Sequence, residues 1–329
     1  MTRTAFCLLL LMLLCTSCAQ KGGRAREAAP PSKGHADSLE GFVTSGFGQT
    51  FFRPCGSTRI YRAGGDPEAV GELELEYEEI QQGEYGELYA RLAGGIVADP
   101  GENKNTNNTG TISVDELLDI HKVKDGDCAG SGVGVVARED DSYVVRIEFP
   151  LMENKALEMK AADLVAEAVG RLKETAGAPS PEEMRYRVDV RYDTFFRNDR
   201  YAGLRFVTSF DTGGAHPVQT IECRNYDMKE GREITAADVF REDADYAARI
   251  SGEAVAALSA ELEDKEGLDW IYQGAGPKAE NFKCFTLSEK GLTFHFPPYS
   301  VAPYAEGIKE VSVPFDRIRD LLKPPFTEW

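Results

Sequence analysis

The sequence predicts an α+β protein, with a small OB-like β-barrel first and a larger, two-part α+β domain after it. Three observations predict this class. Short runs of alternating apolar and polar residues, separated by turn signals, fill residues 41–128. Residues 285–315 have the pattern strand, turn, strand, proline-rich loop and strand. Helical patterns at 157–175 and 243–262 interrupt the later strands, which is typical of the α+β class.

Residues 1–17 predict a signal peptide. Arg3 supplies positive charge, and the apolar run at 6–14 is too short to span a bilayer. The sequence Leu-Cys-Thr-Ser-Cys that ends at Cys18 resembles a bacterial lipobox, which implies that Cys18 is lipidated. Ordinary secretion after Ser17 or Ala19 is the alternative. The residue after Cys18 is Ala19 and not aspartate. This implies that the protein is carried to the outer membrane, where it faces the periplasm.

Residues 18–40 predict a flexible tether between the lipid and the folded part. Small, proline and charged residues dominate the segment, which cannot bury enough apolar surface to fold. The formal net charge of the chain is -18, which argues against binding to nucleic acid or to anionic lipid. This charge would attract a basic partner, although an acidic surface also keeps exported proteins soluble.

Two cysteines lie in the predicted leader and Cys18 is the predicted lipidation site. The four that remain are Cys55, Cys128, Cys223 and Cys284. In an exported protein they predict two disulfides, for which three pairings are possible. The domain division favours Cys55–Cys128 and Cys223–Cys284. A metal site is the alternative, but no two of these cysteines have close spacing. We therefore predict neither a metal nor a cofactor.

Several short strands are predicted within the barrel. Leu73, Leu75 and Tyr77 alternate with glutamates as one strand, and Leu88 begins another. The pair Gly94-Gly95 is expected to break that second strand. Ile112 and Val114 are expected to form a last, short strand. Five or six such strands fit a small closed barrel.

The barrel region also has a family resemblance. The patterns Phe-x-x-Cys from Phe52, Leu-x-x-x-Tyr from Leu73 and Leu-x-Gly-Gly-Ile from Leu92 are similar to the barrel domain of NlpE-type envelope lipoproteins. Residues 99–110 are polar and without periodicity, so they predict a mobile loop. The glycine-rich residues 129–142 predict a linker, because they lack the spacing of a nucleotide-binding loop.

Residues 143–322 carry a second and more specific resemblance. The sequences Phe-His-Phe-Pro-Pro-Tyr at 294–299 and Ala-Pro-Tyr-Ala-Glu-Gly at 302–307 resemble the C-terminal domain of RsiV-type proteins. Gly-Gly-Ala-His-Pro at 213–217 and Asn-Tyr-Asp at 225–227 fit the same pattern. The family includes a lysozyme-sensing anti-sigma factor and recurs beside peptidoglycan deacetylase domains. The resemblance implies an RsiV-like α+β fold, with a lysozyme-like protein or peptidoglycan as partner.

Candidate catalytic groups are few. His35 lies in the tether, and His121 stands in a charged segment where it is expected to be exposed. His216 and His295 are left for acid–base chemistry, but His295 alternates with Phe294 and Phe296 and is exposed if that strand face is wet. Serine-nucleophile and His-Glu-x-x-His motifs are absent from the sequence. We predict a protein that is not an enzyme; a peptidoglycan hydrolase with two carboxylates is the alternative.

The loops at 213–217 and 297–307 are the predicted binding surface. Its candidate ligand-binding residues are His216, Tyr299, Tyr304 and Glu306. Tyrosine combines a rigid apolar ring with a polar tip, and prolines restrict a loop before it binds. These residues could instead serve only to turn and pack the chain. The predicted function is a lipid-anchored envelope protein that recognises a lysozyme-like protein or cell-wall glycan; a structural lipoprotein without a specific ligand is the alternative.

Overall fold

The computed structural model describes residues 38–328, apart from 47, 83–85, 99–107, 263–266 and most of 156–184. The predicted leader, the lipidation site Cys18, nearly all of the tether and most of the predicted loop at 99–110 lie outside the described residues. Of the predicted helix at 157–175, Leu157 and Glu158 are helical, and most of the rest lies outside the described residues. No helix in the described part is long and apolar enough to cross a bilayer.

The N-terminal part is a closed barrel of five strands in the order β1-β2-β3-β5-β4. Strand β4 pairs back onto β1, and β3 pairs with β5 in parallel. Val43, Phe52, Leu88 and Ile112 are fully buried inside it. The predicted small barrel is thus confirmed. Its elements are β1 (Ser38–Gly46), β2 (Gln49–Pro54), β3 (Ile60–Gly65), α1 (Pro67–Gln81), β4 (Leu88–Ala98) and β5 (Asn108–Lys122).

The strand predicted around Leu73, Leu75 and Tyr77 is wrong, because these residues lie in helix α1. Asp66 caps the helix by accepting hydrogen bonds from the backbone N–H groups of the second and third helical residues, and Pro67 begins it. Leu73 and Tyr77 stand four residues apart and are buried, whereas Leu75 is 70% exposed. The buried residues therefore follow the spacing of a helix. The alternation of apolar residues with glutamates does not indicate a strand here.

Two further expectations for the barrel are wrong. Strand β4 runs through Gly94-Gly95 instead of ending there, with a register shift between Ala93 and Gly94. A Cβ on Gly94 would lie 1.8 Å from the carbonyl oxygen of Ser113, so glycine permits this irregular pairing. Strand β5 extends well beyond the short run predicted at Ile112 and Val114.

A six-stranded sheet follows the barrel, in the order β11-β10-β9-β8-β7-β6. All neighbours are antiparallel except β7 and β8, which pair in parallel. Strand β6 falls inside the predicted linker at 129–142, so that prediction is wrong for these residues. The strands are β6 (Val133–Glu139), β7 (Tyr143–Pro150), β8 (Tyr186–Arg197), β9 (Tyr201–Asp211), β10 (Val218–Asp227) and β11 (Arg232–Ile234).

The C-terminal part is a three-stranded antiparallel sheet with short helices around it. The predicted pattern of strand, turn, strand, loop and strand is confirmed. Phe282, Phe294, Phe296 and Ile250 lie in its core. Its elements are α2 (Ala236–Val239), α3 (Tyr246–Ala260), α4 (Leu268–Gly274), β12 (Phe285–Leu287), β13 (Gly291–Phe296), β14 (Lys309–Pro314) and α5 (Phe315–Ile318).

Asn225 joins the two sheets through its side chain. Its amide nitrogen donates to the carbonyl of Phe285 at 2.8 Å, and its oxygen accepts from the N–H of Leu287 at 2.7 Å. The disulfide Cys223–Cys284 links the same two regions. The other disulfide is Cys55–Cys128, so the favoured pairing is confirmed.

A buried ionic cluster connects the barrel with the six-stranded sheet; we call it the junction and define it by Arg53, Glu87, Glu148, Asp189 and Arg191. An Nη atom of Arg53 lies 3.0 Å from Glu87 and 2.7 Å from Glu148. Arg191 adds a second cation, 3.0 Å from Glu87. Asp189 is buried between these charges, and its Oδ1 has no hydrogen-bond partner among the described residues.

Candidate binding platform

The loop after β13 begins with a tight turn that presents Tyr299. The backbone N–H of Ser300 donates to the carbonyl of Pro297 at 3.1 Å, which closes a four-residue β-turn. Pro298 occupies the second position, and Tyr299 occupies the third with a φ of 70°. Positive φ at that position defines a type II turn and normally requires glycine or asparagine. The turn therefore holds a strained tyrosine, and its side chain is 54% exposed.

Helix α4 lies directly against this turn. A Cβ on Gly274, at the end of the helix, would lie 1.9 Å from the carbonyl oxygen of Ser300. Only glycine permits this approach. The helix carries Trp270, which is 37% exposed and whose ring centroid lies 6.3 Å from that of Tyr299 at an interplanar angle of 30°.

His216 reaches the same place from the loop between β9 and β10. Its Nδ1 lies 3.0 Å from the carbonyl oxygen of Pro217, and its Nε2 lies 3.1 Å from the hydroxyl of Tyr299. A carbonyl can only accept, so Nδ1 carries the proton in neutral His216, and the hydroxyl of Tyr299 donates to Nε2. Both ring nitrogens are thereby used to hold the loops together.

Tyr304 completes the group. Its ring stacks on His216 with centroids 4.0 Å apart, and lies 5.5 Å from the ring of Tyr299. Its hydroxyl donates to the carbonyl of Pro217 at 2.8 Å, and burial, with a smaller effect of Tyr299, raises the pKa of that hydroxyl. We call His216, Trp270, Tyr299 and Tyr304 the aromatic platform.

The platform brings together three of the four predicted ligand-binding residues. Glu306 lies beside it, in the same short 3-10 turn as Tyr304, and forms an ion pair of 2.7 Å with Lys309. That any of these residues binds a ligand stays a prediction. Trp270 was missed, because residues 267–277 have no clear period in the sequence. The signal available was that an aromatic residue follows a charged one close to two glycines.

His295 is placed on a buried face, where it has a structural role. Its side chain is fully buried, with Nε2 2.9 Å from the hydroxyl of Thr286 and Nδ1 3.2 Å from the guanidinium of Arg205. Phe195 packs edge-on against the ring. Burial, assisted by Arg205, holds the pKa of His295 well below its usual value. The possibility that this strand face is wet is therefore wrong.

His121 is partly enclosed, which corrects the expectation of an exposed side chain. Its Nε2 lies 3.7 Å from Asp119 and 3.7 Å from Asp127, and its ring stacks on Tyr89. The described residues contain no group of three or more His, Cys, Asp or Glu side chains arranged to hold a metal ion.

Comparison with known proteins identifies part of the chain. Residues 237–316 match the family described as "Protein of unknown function (DUF3298)". The matched segment spans most of the C-terminal part and includes Trp270, Tyr299 and Tyr304, whereas His216 lies before it. The description assigns no function. The RsiV-type resemblance stays a prediction.

Two curated relatives are similar over more than half of the chain. The peptidoglycan-N-acetylmuramic acid deacetylase PdaC of Bacillus subtilis is 21% identical over 200 residues, which cover 60% of this chain and 42% of that protein. The chain thus spans less than half the length of PdaC. The immunogenic protein MPB64 of Mycobacterium bovis is 23% identical over 193 residues, which cover 57% of this chain and 81% of that protein.

Two solved structures of DUF3298 proteins are also similar to this chain. A DUF3298 protein of Bacteroides fragilis is 16% identical, with a TM-score of 0.41, and the match covers 60% of this chain and 96% of that one. A DUF3298 protein of Pseudomonas aeruginosa is 15% identical, with a TM-score of 0.41, and the match covers 59% of this chain and 95% of that one.

Proposed function

We propose that this chain is a non-catalytic protein of the cell envelope and that its aromatic platform binds cell-wall glycan. The observation that carries the proposal is the conformation of Tyr299. A tyrosine at φ 70° costs energy that glycine would avoid, and its ring is largely exposed instead of buried. Strain kept for an exposed side chain indicates selection for binding rather than for stability.

The geometry of the rings suits a polysaccharide. Trp270, Tyr299, Tyr304 and His216 are successive neighbours, with centroid separations of 6.3, 5.5 and 4.0 Å. The apolar faces of pyranose rings can lie against such rings, while sugar hydroxyls find polar tips nearby. Because hydrogen bonds and the turn hold the platform in place beforehand, little ordering entropy remains to be lost on binding.

The wider context supports an envelope role. The relative PdaC is named for its action on peptidoglycan, and a lipidated Cys18 would hold the protein close to the cell wall. Of the two candidate histidines, His295 is buried, and His216 holds the loops together through both ring nitrogens. A peptidoglycan hydrolase remains the enzymatic alternative, and a muropeptide-release assay would reveal it.

A basic protein such as a lysozyme is the second candidate ligand. The observation that favours it is the net charge of -18, together with helix α1, which carries six glutamates and no lysine or arginine. Opposite charge accelerates and strengthens such an encounter. Calorimetry over a salt series would separate specific binding from general attraction, because exposed charges are screened at high salt.

Calorimetry with purified peptidoglycan glycan fragments tests the main proposal, using the chain without its predicted leader. We expect Trp270→Ala and Tyr304→Ala each to weaken binding at least about tenfold, which is ~1.4 kcal/mol. Tyr272→Ala is the matched control, because this 60% exposed tyrosine lies on the same helix, about 200° around its axis from Trp270. Equal effects of all three variants, or no binding by the wild type, would reject the proposal.

A further inference from the structure

We infer that the aromatic platform selects sugars with a free, protonated amine over the same sugars in N-acetylated form. This inference rests on the proposed function, because it specifies the ligand chemistry of the same site. Two properties of the platform carry it: the charge of the segments that form it, and the ring faces that they expose.

The three segments that form the platform are acidic. Loop 212–217 with the preceding strand end contributes Asp211, helix α4 contributes Asp269, and loop 297–308 contributes Glu306. None of these segments contains lysine or arginine. Asp269 immediately precedes Trp270 and is exposed, and Glu306 is two residues from Tyr304 and is also exposed. Exposed carboxylates thus stand next to Trp270 and close to Tyr304 in the sequence, on two of the three segments.

Lys309 is the basic residue that follows directly after the last of these segments, and carboxylates surround it. Its Nζ lies 2.7 Å from Glu306 and 3.6 Å from Glu261, and its side chain is largely buried. One lysine between two glutamates leaves this side of the platform with a net negative charge. The ion pair with Lys309 thus offsets part of the negative charge near Glu306, and the net charge there stays negative.

Aromatic faces add a second preference for a cation. An ammonium group over the face of tryptophan or tyrosine is attracted by the quadrupole of the ring, most strongly for tryptophan. The chain already uses this contact internally, since the guanidinium of Arg53 lies 4.4 Å from the ring centroid of Phe42. An amino sugar carries its ammonium on the ring that would stack, so it can satisfy ring faces and carboxylates together. The neutral N-acetyl group gains neither of these attractions between charges.

Two oligosaccharides of equal length test the inference: an N-acetylglucosamine hexamer and a glucosamine hexamer, titrated calorimetrically at mildly acidic pH. We expect the glucosamine hexamer to bind about three- to tenfold more tightly. The double variant Asp269→Asn/Glu306→Gln should lower the ratio of the two affinities to the part that the ring faces alone supply. Glu76→Gln/Glu79→Gln on helix α1 removes the same number of exposed charges in the barrel and should leave the ratio unchanged.

The outcomes separate the two proposals. If both hexamers bind equally and Trp270→Ala weakens both, glycan binding stands and the selection for amines is overturned. If neither binds, the proposed function fails and the selection fails with it. If the glucosamine hexamer binds more tightly but Trp270→Ala has no effect, or the barrel control abolishes the preference as well, general charge attraction explains the result and the inference is overturned.

Discussion

The aromatic platform and the junction are opposite solutions to bringing distant segments together. The platform joins two loops through one carbonyl, that of Pro217, and leaves its rings partly exposed. The junction joins the barrel to the six-stranded sheet through an ionic cluster in which Arg53 and Glu148 are almost fully buried. We therefore expect substitutions at the junction mainly to lower the stability of the fold, and substitutions at the platform mainly to weaken binding.

The largest expected effect is that of Arg53→Met at the junction. Arg53 is 2% exposed and compensates the charges of Glu87 and Glu148, which would be left buried with one partner fewer. Removing one partner of such a cluster costs about 3–5 kcal/mol of unfolding free energy. Urea unfolding followed by circular dichroism measures the loss.

Arg138→Met is the matched control for this prediction. Arg138 pairs with Asp125, but both side chains are more than half exposed, so we expect a much smaller loss than for Arg53→Met. If both arginine variants lose the same stability, the junction does not hold the barrel and the sheet together.

The pH dependence of stability tests the same cluster. Burial alone would raise the pKa of Glu87, but Arg191 and Arg53 overcome it and hold the pKa at about 2, below the ordinary value of 4.5. A depressed carboxyl pKa contributes stability that is fully present above pH 4.5 and is lost as the pH falls toward 2. Asp189, whose pKa is raised by burial, contributes with the opposite sign.

We therefore expect wild-type stability to fall more steeply between pH 4.5 and pH 2 than that of Glu87→Gln, although the variant starts lower. Urea midpoints at several pH values give the two slopes. Parallel slopes would show that folding does not lower the pKa of Glu87, which would contradict the role assigned to these arginines.

A smaller effect is expected at Tyr299, where two substitutions isolate the strain. Tyr299→Ala and Tyr299→Gly both remove the ring, but only glycine adopts a φ of 70° without cost. The glycine variant should be more stable than the alanine variant by about 1 kcal/mol, and both should lose glycan binding. Thermal unfolding with calorimetric binding tests this. Equal stability of the two variants would contradict the strain that we assign to this turn.

The fold could be predicted from the sequence where the hydrophobic period and the turn residues indicated the same element. The alternation of Phe294 and Phe296 and the two prolines after them define β13 and its loop without further information. The same rule was wrong at Leu73, Leu75 and Tyr77. Leu73 and Tyr77 are four residues apart and share the buried face of a helix, whereas Leu75 between them is exposed. The cap at Asp66-Pro67 was the signal that could have decided between the two.

The site was predictable only in part, for a related reason. His216, Tyr299 and Tyr304 lie in loops whose glycines and prolines mark them, so they could be grouped by composition. Trp270 lies on a helix that reaches the platform only because Gly274 permits close contact with Ser300. Such tertiary contacts leave no period in a single sequence.

The most direct test of the central claim is the fluorescence of Trp270 during a glycan titration. The chain has two tryptophans, so Trp329→Phe leaves Trp270 as the sole reporter. We expect addition of peptidoglycan glycan fragments to shift the emission of Trp270 in a saturable way, with a midpoint equal to the calorimetric dissociation constant. Glycan binding in the calorimeter without any change in the emission of Trp270 would contradict the assignment of the platform as the binding site.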